Sequence, residues 1–381
     1  MFFRDVVGQE KAKSLLRKYV ERQQIPHALL FTGSDGSGTL PLAVAFAQYV
    51  NCQSPTDDGD SCGVCPSCQL FQQMKHPDFI PFYPSFTAES GANLMAKEQT
   101  ETTQLCSLLN EKHYLTEEDW NNALVGKSSK QLLVSVDSVM RLLDRLSYKS
   151  VGKGYRVVVF WRPELMRPDA ANRMLKTIEE PPARTLFLFV CSHPELLLST
   201  ILSRLQQIYL PPLTEEVIAE ALLHESGEAK EFLYCIAHTA QGNVITAREL
   251  LAGKRASPYL PALQRLYRSA YKRDYMELME WSVEMAKLSR EEQKIMILYF
   301  AMMLREMFML HLKCEELCFL LGEELEFARK VSPFINGTNV ARLLFEYSAA
   351  YFQLTRNANM TIAYSDFSIL HAKLIKPLGA K

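Results

Sequence analysis

Eight residues constrain this chain more than any others: Gly33-Ser34-Asp35-Gly36-Ser37-Gly38-Thr39-Leu40. They lie between an apolar, strand-like run (Ala28 to Thr32) and a helix-like run (Leu42 to Val50). Strand, glycine-rich turn and helix together form the setting of a phosphate-binding loop. In such a loop, glycines let backbone N–H groups approach phosphate oxygens at a helix N-terminus. A working loop reads G-x-x-x-x-G-K-[ST], where the Lys reaches the outer phosphates and the hydroxyl holds Mg²⁺. Here Gly33, Gly36 and Gly38 are in place, but Thr39 stands at the Lys position and Leu40 at the hydroxyl position. The stretch predicts the shape of a nucleotide-binding fold without its chemistry. Taken alone, it also fits an ordinary glycine-rich turn.

At 381 residues the chain is long enough for two or three domains. Its net charge of -1 gives no global field toward nucleic acid or membrane. The start, Met1-Phe2-Phe3-Arg4-Asp5, lacks the layout of a signal peptide. The apolar run Ile295 to Leu304 is broken by Arg305-Glu306 and is too short to span a bilayer, which needs ~20 residues. It reads as a buried amphipathic helix in a soluble, intracellular protein.

Nine cysteines divide into a cluster and a scatter. Cys52, Cys62, Cys65 and Cys68 follow the loop's helix at once, spaced Cys-x9-Cys-x2-Cys-x2-Cys. Four thiolates suit tetrahedral zinc and leave no open coordination position, so the expected zinc is structural. Gly59, Gly63 and Pro66 permit the turns that bring such close-set ligands together. A thiol-disulfide role for the Cys-x2-Cys pairs is weaker, since neither opens a helix in a thioredoxin-like setting. The scattered Cys106, Cys191, Cys235, Cys314 and Cys318 read as buried small apolar residues.

A helical face marks residues 9–22. A helix from Gln69 to Lys75 leads through His76-Pro77-Asp78, where His76 reads as a turn residue, to a strand from Phe79 to Tyr83. Residues 84–130 are largely polar and read as an insertion, partly helical or mobile. A helix with Val139, Leu142, Leu143 and Leu146 on one face comes next. The strand Tyr155 to Phe160 is nearly all apolar, as in a parallel sheet covered on both faces. An active ATPase ends this strand in acidic residues. Here it ends in Trp161-Arg162, and Glu164 lies beyond Pro163. A helix (Asp169 to Glu180, stopped by Pro181-Pro182), a strand (Thr185 to Val190), a helix (Leu196 to Leu202) and a strand (Ile208 to Leu210) follow. This alternation predicts a parallel α/β sheet. Beyond Pro211-Pro212 the pattern is helical, with a linker signal at residues 254–258; its Met and aromatic stripes read as core or subunit interface.

Several stretches occur in a recognisable order: Val6-Val7-Gly8-Gln9-Glu10; His27 to Gly33; the four-cysteine insert; His76-Pro77-Asp78; Leu175-Lys176-Thr177-Ile178-Glu179-Glu180-Pro181-Pro182; and Ile201-Leu202-Ser203-Arg204. Over about residues 1–250 the chain resembles the bacterial clamp-loader AAA+ subunits of DNA polymerase III, the gamma/tau and delta-prime group. The resemblance over 259–381 is one of helical pattern only. It implies an α/β P-loop NTPase (AAA+) domain with a parallel sheet over 1–212. That domain would carry the zinc insert at 52–68 and the polar insertion at 84–130. A helical lid over 213–253 and an all-α collar over 259–381 would complete the chain.

The departures from that family fall where its ATP chemistry sits. Thr39 replaces the Lys, Trp161-Arg162 replace the acidic pair, and Ile245 in Gly242-Asn243-Val244-Ile245 replaces a phosphate-sensing Arg. The resemblance therefore implies a delta-prime-like subunit of the polymerase holoenzyme with no ATP hydrolysis of its own. Ser203-Arg204 resembles the family's Ser-Arg-Cys motif, with Leu205 for the Cys. That places Arg204 as an arginine finger reaching in trans into a neighbour's ATP site. The implied partners are gamma/tau-like and delta-like subunits, the sliding clamp indirectly, and primed DNA, in the bacterial cytoplasm at a nucleoid-associated replisome. Arg141, Arg145, Lys149 and Lys153 cluster as candidates for phosphate contact. Two alternatives stay open: an active gamma/tau-type ATPase, and a zinc-dependent nucleic-acid-binding protein. Against the second, residues 52–68 carry Asp57, Asp58 and Asp60 and no Lys or Arg.

Overall fold

Five parallel strands form the centre of the first of two units in the computed structural model. The structure describes residues 1–86, 94–125, 132–148, 152, 154–252, 258–320, 322–356 and 358–375. Unit 1 comprises Met1–Arg248 and unit 2 Glu249–Lys381. The strands are β1 (Ala28–Thr32), β2 (Phe79–Phe82), β3 (Arg156–Trp161), β4 (Thr185–Cys191) and β5 (Gln206–Tyr209). Their order across the sheet is β2-β3-β4-β1-β5, and each neighbouring pair is parallel. Every residue of β1, β3 and β4 is buried, as expected of strands covered on both faces. The two outer strands differ. Pro81 lies in β2, where a missing N–H is tolerated. In β5 only Ile208 is buried.

Side chains alternate across the sheet. Leu29, Phe31, Val157, Val159, Leu188 and Val190 face one core; Leu30, Val158, Phe160, Phe187 and Phe189 face the other. The first core is closed by α1 (Glu10–Glu21), the largely apolar α2 (Thr39–Val50) and α3 (Pro66–Gln72). Two further helices, α4 (Leu94–Glu111) and α5 (Glu117–Val125), also contribute to it. The second core is closed by α6 (Val136–Ser147), α7 (Pro168–Glu179) and the short α8 (Ser199–Leu202). After β5 come α9 (Glu215–Ser226), α10 (Lys230–Thr239) and α11 (Val244–Leu251), which runs across the boundary between the units.

Several expectations need correction. The loop's helix starts at Thr39, three residues early, and α3 starts inside the cysteine cluster at Pro66. The helix expected over 196–202 is a 3-10 turn at Pro194–Leu196 followed by one turn of α8. Of the scattered cysteines only Cys191 is buried; Cys106, Cys235, Cys314 and Cys318 are partly exposed. The largest surprise is the polar insertion. Its α4, α5 and the segment between them seat Leu105, Leu109, Leu115 and Trp120 in the sheet's first core. The Trp120 indole is fully buried and donates to the Pro84 carbonyl at 2.8 Å. Side chains of this size gain ~1.5–3 kcal/mol each on burial, enough to offset a polar composition with few apolar positions.

Unit 2 is helical throughout its described residues: α12 (Leu260–Lys272), α13 (Tyr275–Met285), α14 (Arg290–His311), α15 (Gly322–Val331), α16 (Val340–Thr355) and α17 (Met360–Leu374). Residues 253–257 of the expected linker lie outside the described set. A capping box opens α14: Glu292 N–H bonds Ser289 Oγ while Ser289 N–H bonds Glu292. As expected of an amphipathic helix, Met296, Ile297, Phe300, Met303 and Leu304 of α14 are buried, while Ile295 and Leu298 lie on its exposed face. Trp281 packs with Phe300, Tyr364 and Phe367 at the centre of the unit and donates to the Ala262 carbonyl at 2.9 Å. No described helix is long and apolar enough to cross a membrane.

His371 is fully buried in that core. Its Nδ1 meets the Phe367 carbonyl at 2.9 Å and its Nε2 the Tyr347 hydroxyl at 3.0 Å, so the neutral ring satisfies both partners. Burial pushes its pKa down to about 4. Unfolding returns it to ~6.5, so the unfolded chain takes up a proton first as pH falls. Unit 2 should hold its stability above pH ~6.5 and lose up to ~3 kcal/mol between pH ~6.5 and 4 from this residue. Hydrogen-exchange protection of α17 amides, measured from pH 7 to 4.5 and corrected for intrinsic exchange, checks this; unchanged opening energies would contradict it.

Candidate functional site

The glycine-rich loop joins β1 to α2 as the sequence predicts. Gly36 and Gly38 take φ of +78° and +97°, conformations that side chains disfavour. Gly36 through Leu40 are all buried. What covers them is the chain itself. A Cβ placed on Gly36 would come within 1.9 Å of Asn243 Oδ1. One on Gly38 would lie 3.3 Å from Val6 and 3.5 Å from the Tyr114 hydroxyl. Tyr114, between α4 and α5, accepts the Val7 N–H at 2.8 Å, and the Arg248 guanidinium sits 5.1 Å over its ring. Gln9 Nε2 bonds the Ser37 carbonyl at 2.9 Å and the Pro211 carbonyl at 2.8 Å. Thr39 is buried where the sequence motif would place a Lys.

Opposite the loop, β3 ends in Trp161, and Arg162 follows in a left-handed conformation with φ +58°. Its guanidinium is 5% exposed and lies among three carboxylates. Nη2 donates to both oxygens of Asp35 in the loop at 2.9 Å, Nη1 to Glu164 Oε1 at 3.3 Å, and Glu117 of α5 is 3.9 Å from Nε. Burial pulls the Arg162 pKa down, but Asp35, Glu164 and Glu117 outweigh it and the net shift is upward. Glu164 also accepts the Ser192 N–H at 3.2 Å, and Ser192 Oγ bonds Asp35 at 3.1 Å. Thus Glu164, which the sequence leaves past Pro163 and away from the strand end, is in fact buried against it. The carboxylates around this strand end are paired with a fixed cation.

At the start of α11, Asn243 Oδ1 caps the helix by accepting the Ile245 and Thr246 N–H groups at 2.9 and 3.2 Å. Val244 N–H reaches the Gly36 carbonyl at 3.4 Å. The stretch from Gly242 to Ile245 therefore meets the loop through an Asn and backbone groups, with an apolar Ile245 at the position expected to carry a cation.

Arg204 follows α8 and is one-third exposed. Its Nε donates to Glu179 Oε1 at 2.5 Å, its Nη2 pairs with the same carboxylate, and its Nη1 reaches the Thr200 carbonyl at 2.6 Å and Ser203 Oγ at 3.3 Å. Ser203 thus stands beside Arg204 as a hydrogen-bond partner. Among the phosphate-contact candidates, Arg141 and Arg145 share a helix one turn apart, and Arg141 is paired with Glu98 at 2.8 Å. Lys149 and Lys153 lie outside the described residues.

The sulfurs of Cys52, Cys62, Cys65 and Cys68 all lie within 4.8 Å of one another, a set that could hold one metal ion. Backbone N–H groups point at them: Cys62 N to Cys52 Sγ and Cys65 N to Cys62 Sγ at 3.3 Å, and Cys68 N to Cys65 Sγ at 3.4 Å. The N–H groups of Cys65 and Val64 draw the Cys62 pKa down to about 6, whereas burial pushes Cys52 and Cys68 up. Four thiolates packed this closely repel, and a divalent cation is what would let them ionise together. Asp60 is not a surface acid; it accepts N–H groups from Phe3 at 3.0 Å, Arg4 at 3.1 Å and Ser61 at 2.7 Å, tying the cluster to the body. His76 stacks on Phe71 at 4.4 Å and accepts the Asp78 N–H at 3.2 Å, the turn role its position predicts.

Sequence reasoning missed Tyr114, Glu117 and the Arg162–Asp35 pair. The pair had a readable signal, an acid in the loop and a base at the strand end that normally carries acid. Tyr114 had none, because its contacts come from residues more than seventy positions away. Arg162→Ala should destabilise unit 1 by ~3 kcal/mol, since it strands a buried Glu164 without its cation. In a urea-unfolding double-mutant cycle, Asp35→Asn should cost less in the Arg162→Ala background than in the wild type. Additive costs would show that the pair is not coupled.

A family model described as "DNA polymerase III, delta subunit" matches residues 8–214, more than half of the chain. The DNA polymerase III subunit delta' of Escherichia coli K12 is 29% identical over 227 residues, 60% of this chain and 55% of that protein. The delta' subunit of Yersinia pestis is 32% identical over 184 residues, 48% and 41%. The tau subunit of Escherichia coli K12 is 27% identical over 253 residues, 65% and 32%. The chain thus spans about half the length of the delta' relatives and about a third of the tau protein. Superposition on a gamma subunit-related protein from Thermotoga maritima covers 95% of this chain and 98% of that one. At 14% identity and a TM-score of 0.39 it is loose, and the kinship rests on the sequence matches. With a parallel five-stranded sheet and a helical C-terminal part, and with delta' and tau/gamma relatives on both sides, the chain belongs to the DNA polymerase III clamp-loader AAA+ family.

Proposed function

We propose that this chain is a delta-prime-type clamp-loader subunit that neither holds nor hydrolyses ATP. One observation carries the reading: Gly36 through Leu40, the loop that would cradle phosphates, is buried under the chain's own Val6, Tyr114 and Asn243. The strand-end position agrees with it, because Arg162 stands there paired to Asp35 and Glu164. Thr39 and Ile245 withhold the two cations that would meet a phosphate. The gamma/tau reading has relatives in its favour, but it needs an open loop, a Lys and a strand-end acid. The glycines Gly33, Gly36 and Gly38 then serve the turn that builds the domain.

In this reading residues 1–212 are the AAA+ domain, 213–253 its lid and 259–381 a collar that packs against other subunits. Arg204, seconded by Ser203, is the group offered to a neighbouring gamma/tau-type ATPase. A finger of this kind stabilises transition-state charge by ~10³–10⁵-fold in related systems. A delta-type subunit, the sliding clamp and primed DNA are further partners of the assembly, which would work in the bacterial cytoplasm. Contacts to DNA would be to phosphates.

The test is a loader reconstituted with its ATPase subunits. The isolated chain should show no Mg·ATP turnover, and Arg204→Ala should keep the fold while slowing the loader's ATP hydrolysis tenfold or more. Turnover by the isolated chain would favour the gamma/tau reading, and an unchanged loader rate would remove Arg204 from its role.

The cysteine cluster is proposed as a structural zinc site. Four sulfur ligands with backbone N–H support leave no position for a substrate. Metal analysis should give one zinc per chain. Chelation or Cys65→Ser should lower the melting temperature of unit 1 by ~5 °C or more. A zinc-free preparation of equal stability would sink the site.

A further inference from the structure

We propose that Glu179 sheathes Arg204, holding the finger on its own subunit until a neighbour's phosphate displaces it. The inference rests on the reading of Arg204 given above. Arg204 does not project freely. Its Nε and Nη2, the edge of a guanidinium that binds two oxygens side by side, are both taken by Glu179. Its Nη1 is taken by the Thr200 carbonyl and Ser203 Oγ. Its main chain is held as well, with Arg204 N–H bonded to the Ile201 carbonyl at 3.0 Å.

Glu179 is well placed for this. It is the last residue of α7, and the Pro181-Pro182 pair two positions later ends the helix there. Arg204 lies in the turn just past α8, and α8 packs against α7, which brings the two side chains together. The carboxylate oxygen it presents is a ground-state stand-in for a phosphate oxygen at the same guanidinium edge.

The consequence is a competition. While Glu179 is bound, the finger's charge is neutralised and its bidentate edge is occupied. An outer phosphate carries more charge than one carboxylate and can take the edge over. Because both partners are partly exposed, the sheath is weak. It therefore tunes the finger and does not abolish it. The contact restrains ATP hydrolysis at the neighbouring site when the ring is not fully closed on its substrates, since the finger must first leave Glu179.

Glu179→Gln tests this. The substitution keeps the shape of the side chain and removes its charge. In the reconstituted loader without clamp or DNA, kcat for ATP should rise about two- to fivefold, with KM little changed, because the released finger acts on the transition state. The gain should vanish in an Arg204→Ala, Glu179→Gln double variant, which should hydrolyse at the Arg204→Ala rate. A Glu179→Gln rate equal to or below wild type, with Arg204→Ala still slow, would overturn the sheath and leave the finger standing. A gain that persists in the double variant would also overturn it, since Glu179 would then act without Arg204. If Arg204→Ala has no effect, the reading of the finger fails first and the sheath with it.

Discussion

The buried guanidinium of Arg162 ties together distant parts of unit 1. It joins the loop through Asp35, the end of β3 through its own main chain, the turn after β4 through Glu164 and Ser192, and the insertion through Glu117. A cation in such a place is stable only if opposing charges meet it at close range. Asp35 and Glu164 meet that condition. Once they do, the loop, the strand end and the insertion share one electrostatic contact, and the end of β3 carries positive charge.

The covering of the loop follows from the same region. Tyr114 is carried between two helices whose apolar residues are built into the sheet's core. Its hydroxyl bonds the chain near the N-terminus, and its ring lies under Arg248 of α11. Asn243 and Val244 approach the loop from the other side. Loop, insertion and α11 are thus linked by hydrogen bonds and close packing that leave the glycine backbone no exposed face. In this arrangement the glycines satisfy backbone geometry and close approach.

The elements of the sheet were legible in the sequence because their signal is local and strong. β1 occupies the predicted residues, β3 is shifted by one residue and β4 is one residue longer, since continuous apolar runs between turn signals leave few other readings. The four cysteines were legible for a similar reason: their spacing brings them together within a few turns of chain. The insertion's partly helical character was legible, as α4 and α5 bear out, but its place in the core was not, because its few large side chains carry its packing. Leu105, Leu109 and Trp120 stood out in a polar background, yet composition weighs residue number, while burial weighs area.

The sequence by itself determined the strand–loop–helix order, the parallel sheet, the absence of a Lys and a strand-end acid, and the presence of Ser203-Arg204. These follow from residue identity and from periodicity along neighbouring positions. Only the tertiary structure decided what the altered residues do. It placed Arg162 against Asp35 across 127 positions of chain, Tyr114 against the loop, and Glu179 against Arg204. Such pairings depend on which elements the sheet order makes neighbours, and electrostatic and packing energies act over a few ångströms of space whatever the distance along the chain.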